Sequence, residues 1–171
     1  MDERQLGELG LRLALSRLRE RVGAEDPMGC RICLAEALGW LYSLHEVFRE
    51  RLGNHRFFSR VRGSVDGGTF LGLIWARGAV SHHLTNVTYI VMDETTSGIP
   101  GAAVPGLMRL GSAGTLEPHW VEVDAVPSLK RPEKHGRDAM YDRCVGGQLL
   151  LPPLERVFLF VTGFSCSDPL D

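Results

Sequence analysis

The chain has 171 residues, 44% hydrophobic and 23% charged, with a formal net charge of -2. That length suits one domain, or one domain with an extension, and can bury a real core. The charge excludes the overall basic character of a nonspecific nucleic-acid binder, so any RNA contact has to come from a local patch. No apolar run approaches the roughly 18 residues of a membrane span, and Met1-Asp2-Glu3-Arg4 does not open a secretory signal. The expectation is a cytoplasmic protein.

Residues 3–22 read as an amphipathic helix, with Leu6, Leu9, Leu13 and Leu18 among the inward positions and Arg12, Arg17, Arg19 and Arg21 outside. Asp26-Pro27 opens a second helix with a capping residue followed by a proline at the first helical position. This helix, over residues 27–51, is apolar around most of its circumference, which predicts the centre of a bundle or a dimer interface. Glu36 and His45 interrupt it. Glu36 either finds a partner, for which Arg77, His82 or His83 would be suitable, or faces solvent. Cys30 and Cys33 have Cys-x-x-Cys spacing, but the chain supplies no second ligand pair for zinc and no preceding strand for a redox motif. Two small apolar side chains on a buried helix face are the expectation.

Residues 49–62 carry Arg49, Arg51, Arg56, Arg60 and Arg62, interleaved with Phe57 and Phe58. Arg51, Arg56, Arg60 and Arg62 are candidates for gripping a phosphate backbone beside a stacking surface. The competing reading is a solvated connector whose two Phe dock in the core. Residues 63–68 read as a flexible Gly-rich loop. From about Thr69 to beyond Leu84, Leu73, Ile74, Ala76, Val80 and Leu84 recur at helical spacing, interrupted by Arg77, His82 and His83. An Arg can fork onto phosphate oxygens, and a His can give or take a proton near neutral pH.

Arg77 followed by His82 and His83, late in a helix of a small helical domain, resembles the Arg-x4-6-His motif of HEPN domains, over roughly residues 1–93. The resemblance implies a mainly α helical bundle and a metal-independent RNase or toxin needing no cofactor. Arg77, His82 and His83 would be its catalytic residues. On a straight helix His82 and His83 are rotated by about 140° and 120° from Arg77, so one chain places them poorly. In HEPN dimers two motifs face each other, which implies a homodimer, with RNA as substrate and an antitoxin as a further partner. Family members usually carry a polar residue after the Arg, where this chain has Gly78. A catalytically inactive dimerisation or nucleotide-binding module is therefore the alternative.

Residues 86–92 are β-branched, and the family layout favours helix continuation there. Residues 93–115 read as a long loop, 119–123 as a short strand, and 127–135 as a basic linker. Residues 138–145 read as a short helix, and 154–164 as a final helix behind Pro152-Pro153. Residues 94–171 thus form a small irregular or α+β extension packed on the bundle. His119 and His135 match no metal template and read as surface residues.

Overall fold

The computed structural model describes residues 1–82, 88–91, 117–121 and 136–166. Over these residues the chain is a mainly α bundle, with helices α1 (Glu3–Gly23), α2 (Pro27–Leu52), α3 (Asn54–Arg62) and α4 (Val65–His82). Two short strands follow, β1 (Thr88–Val91) and β2 (Glu117–Trp120), and then α5 (Arg137–Cys144) and α6 (Leu151–Gly163). No described helix is long and apolar enough to cross a membrane.

The helix starts are local chemistry. Asp2 accepts from the Gln5 backbone N–H at 2.8 Å, and the Gln5 side chain returns a bond to the Asp2 N–H at 2.9 Å, a complete capping box. Asp26 caps α2 through the Gly29 N–H at 2.8 Å, with Pro27 in the first turn. Gly53, at φ 73°, makes the corner between α2 and α3 in a backbone region that side chains avoid.

One hydrophobic cluster draws on all six helices. In α1 the buried apolar positions are Leu11, Ala14, Leu15 and Leu18. Leu6, Leu9 and Leu13, expected to face inward, are instead exposed. The helix carries two leucine stripes, and the inner one is chosen by a close approach of α2. A Cβ on Gly10 would lie 2.3 Å from the Trp40 ring, and one on Gly7 would lie 2.8 Å from Leu44. The bare flank made by Gly7 and Gly10 therefore seats α2, and the adjacent face, with Leu11 and Leu15, turns inward.

The Gly-rich stretch is not a loop over its whole length. Helix α4 begins at Val65, so Gly67, Gly68 and Gly72 are helical. A Cβ on Gly72 would meet the Tyr141 Cα at 2.8 Å and one on Gly68 the Cys144 Sγ at 3.5 Å, so these two let α5 lie directly on α4, while Gly67 is bare against the Val61 carbonyl at the end of α3. Residues 88–91 form a strand rather than a helix continuation, because they pair antiparallel with β2, Thr88 opposite Trp120 and Val91 opposite Glu117. The strand expected over 119–123 lies earlier, at Glu117–Trp120. Its Trp120 is locked by its backbone N–H to the Gln148 carbonyl at 2.9 Å and by its indole N–H to the Leu150 carbonyl at 3.0 Å. The two C-terminal helices form near their expected positions, and Leu154, Val157 and Val161 of α6 enter the common core. The loop expected over 93–115 and the linker over 127–135 lie outside the described residues.

Cys30 and Cys33 are buried free thiols in the α2 core face. Burial, reinforced by the nearby Asp26 charge, pushes the Cys30 thiol up to about 11.

Candidate functional site

Helix α4 carries Arg77 because its other face is fully used by the core. Phe70, Leu71, Leu73, Ile74 and Ala76 are buried, and Trp75 stacks on Tyr141 of α5 at 4.8 Å. Arg77 emerges half-buried beside α2, with its guanidinium carbon 4.2 Å from the centroid of the Tyr42 ring. That contact occupies one face of the guanidinium. The N–H donors radiate in its plane and keep their capacity for an anion.

Tyr42 adjoins His45, with ring centroids 5.8 Å apart. His45 is 2% exposed and lies among Phe57, Phe58 and Phe70, with the Phe57 ring edge-on at 5.2 Å. Its Nδ1 is 3.0 Å from a Glu46 carboxylate oxygen. A carboxylate only accepts, so Nδ1 carries the proton and Nε2 is the lone-pair nitrogen. Nε2 is buried with no hydrogen-bond partner among the described residues. Burial pushes the imidazole down to about 4. The Glu46 bond opposes that shift, and the Arg49 and Arg137 charges add to it. His45 is therefore neutral at pH 7. Glu46 also accepts from Arg49 at 2.9 Å, and Arg49 reaches Asn54 at 2.8 Å, which ties α2 to the start of α3.

The remaining candidate residues are spread over the surface. Glu36 accepts from Arg17 of α1, on a different side of α2 from Tyr42, so the cation it pairs with is on α1 and is not Arg77. Arg51 pairs with the Asp2 carboxylate at 3.3 Å, and Arg60 donates to the Ser165 carbonyl at 2.8 Å. Arg62 covers the Phe58 ring at 5.2 Å, and Arg56 is exposed on α3. Phe57 is fully buried, so it offers no stacking surface. An amphipathic turn explains the difference, since Phe57 and Val61 are four residues apart and α3 turns that side inward.

His82 closes α4, but its side chain and the whole of His83 lie outside the described residues, as does His135. His119 lies on β2, with Nδ1 donating to the Gly147 carbonyl at 3.2 Å. Among the described residues no group of three His, Cys, Asp or Glu stands close enough to hold a metal ion. The part of the site that sequence reading did not assemble is Tyr42 with His45. A polar ring three residues from a buried histidine, on an otherwise apolar helix, was the available signal.

No family model matches the chain, and no curated protein or solved structure is significantly similar to it.

Proposed function

We propose that the chain is a HEPN-like protein that acts on RNA as a metal-independent endoribonuclease or toxin, with two α4 helices facing each other in a homodimer. The observation that supports this reading is the Arg77 guanidinium, held by one face on Tyr42 at 4.2 Å with its in-plane donors left for a phosphate. His82 ends the same helix five residues later.

In the proposed reaction His82 or His83 takes the proton of a ribose 2′-OH, and that oxygen attacks the adjacent phosphorus. The bond to the departing 5′-oxygen breaks, and the histidine of the facing copy protonates that oxygen. Arg77 stabilises the negative charge that grows on the phosphate oxygens. Loss of the acid–base group typically costs about 10²–10⁴-fold, and loss of one charge-stabilising donor about 10²–10³-fold. The test is incubation of the full chain with single-stranded and structured RNA in EDTA, beside Arg77→Ala, His82→Ala and His83→Ala. Cleavage by the parent alone supports the proposal, and equal cleavage by all four proteins ends it.

The Arg77–Tyr42 stack also favours a second reading, a catalytically inactive dimerisation or nucleotide-binding module, because it braces α4 against α2. Gly78 in place of a polar residue agrees with that reading. It predicts nucleotide binding, read by calorimetry and lost in Arg77→Ala, without RNA cleavage. For a toxin, expression alone arrests growth, and a neighbouring gene product relieves it.

A further inference from the structure

Two polar side chains are buried among the described residues, His45 and Thr69. Thr69 donates its hydroxyl proton to the Val65 carbonyl at 2.9 Å, whereas His45 keeps its Nε2 buried and unpartnered. Helix α3 covers that imidazole. Phe57 meets it edge-on at 5.2 Å and Phe58 at 6.4 Å, while Phe70 of α4 lies at 6.1 Å and Tyr42 of α2 at 5.8 Å. A neutral imidazole fits among these rings. Protonated, it would carry a second N–H, at Nε2, for which a ring face is only a weak acceptor.

The charges around the ring do not balance an imidazolium. On α2, Glu46 holds Nδ1 at 3.0 Å, but the same carboxylate oxygen already accepts from Arg49 at 2.9 Å. Arg49 and Arg137 of α5 are like charges that disfavour the cation. Helix α4 brings Arg77, stacked on Tyr42 at 4.2 Å, and α3 carries His55, Arg56, Arg60 and Arg62 with no acid. A protonated His45 therefore needs water. The element that can give way is α3, which buries only Phe57 and Val61 and has no side-chain cap at its start. Helix α2, by contrast, is anchored in the core from Cys30 to Phe48. Gly53, exposed at φ 73°, and Gly63 bound α3 at its two ends. Its side-chain ties include Arg49 to Asn54 and Arg60 to the Ser165 carbonyl, both at 2.8 Å.

We propose that α3 is a proton-operated flap: protonation of His45 at Nε2 swings α3 away from α2 about Gly53, while the rest of the bundle stays folded. The flap does not depend on the RNA reading. In the open corner His45 meets water and titrates near its ordinary 6.5, whereas in the closed corner burial holds it down at about 4. Opening therefore takes up one proton between those values. Its equilibrium constant is level above pH 6.5, rises about tenfold for each pH unit below, and stops rising below about 4.

The experiment is amide hydrogen exchange of the full chain, read by mass spectrometry on peptides from α3 and α1 from about pH 7.5 to 4.5, with and without dilute urea. Rates are divided by those of an unstructured chain at the same pH. In the parent, α3 protection should fall about tenfold per pH unit below pH 6.5, roughly 100-fold by pH 4.5. At each pH α3 should exchange faster than α1 and be indifferent to dilute urea, which speeds α1 exchange because that requires global unfolding. His45→Phe should keep α3 protection level with pH. Asn54→Ala, which releases the Arg49 tie, should speed α3 exchange roughly 2–10-fold at every pH and keep the slope. Level α3 protection in the parent, α3 exchange that follows urea as α1 does, an unchanged slope in His45→Phe, or an unchanged rate in Asn54→Ala overturns the proposal. If His45→Phe does not fold, the parent and Asn54→Ala still decide.

Discussion

The Arg77 guanidinium rests on the Tyr42 ring at 4.2 Å, joining the late part of α4 to the middle of α2. Two side chains 35 residues apart in sequence thus make the only cation site in α4 that faces α2 among the described residues. Stacking of this kind contributes about 0.5–1 kcal/mol when exposed and about 2 when desolvated. Arg77 lies between those limits. A double-mutant cycle with Tyr42→Leu and Arg77→Met, read by urea denaturation, should give a coupling of about 1 kcal/mol. Additive effects would show that the stack does not brace the helices. If Arg77 also binds phosphate, Tyr42→Leu should weaken RNA binding less than Arg77→Ala does, because it frees the cation without removing it.

His45 should make the fold acid-sensitive. Its folded value, about 4, lies below the ordinary 6.5 because burial disfavours the cation. The unfolded chain therefore takes up a proton between pH 6.5 and 4 that the folded chain refuses. Stability is fully present above pH 6.5 and falls as pH drops, by up to ~1.4 kcal/mol per pH unit from this group. His45→Phe suits the surrounding rings and should flatten this part of the profile, measured as the urea midpoint against pH. An unchanged slope in the variant would assign the acid sensitivity to other groups.

The glycines of α2 and α4 should respond in opposite directions to alanine. Gly72→Ala forces a Cβ to within 2.8 Å of the Tyr141 backbone, which cannot rotate away. The expected loss is about 1–3 kcal/mol. Gly39 sits inside α2 with nothing within 4 Å of an added Cβ, so Gly39→Ala should gain about 0.5–1 kcal/mol from helix propensity alone. Thermal melts of the two variants on either side of the parent would bear this out. A neutral Gly72→Ala would mean that α5 does not lie directly on α4.

Thiol reactivity should separate the cysteines. Cys30, Cys33 and Cys144 are buried, and Cys166 is partly exposed. Native labelling at pH 8 should modify Cys166 quickly, and Cys30, held up at about 11, only on unfolding. Rapid native labelling of Cys30 would contradict its burial.

The sequence by itself settled the features whose causes lie within a few residues. Asp26 with Pro27 and Pro152 with Pro153 mark helix starts through a cap and fixed φ angles, and the apolar density of residues 27–51 left α2 either the centre of the bundle or a dimer interface. Tertiary structure decided whatever depended on a distant neighbour. Periodicity cannot choose between two leucine stripes on α1; the approach of Trp40 and Leu44 to Gly10 and Gly7 did. Composition marks Gly67 and Gly68 as loop residues, but the end of α3 against Gly67 and α5 against Gly68 make the missing side chains a packing surface. The β-branched run at 88–91 became a strand because Glu117–Trp120 was there to pair with it. Arg77 was visible as a residue type out of place on a greasy helix. That its companion is Tyr42, and not Glu36, was fixed by how α2 is rotated, since a partner across an interface leaves no mark on the spacing of either helix.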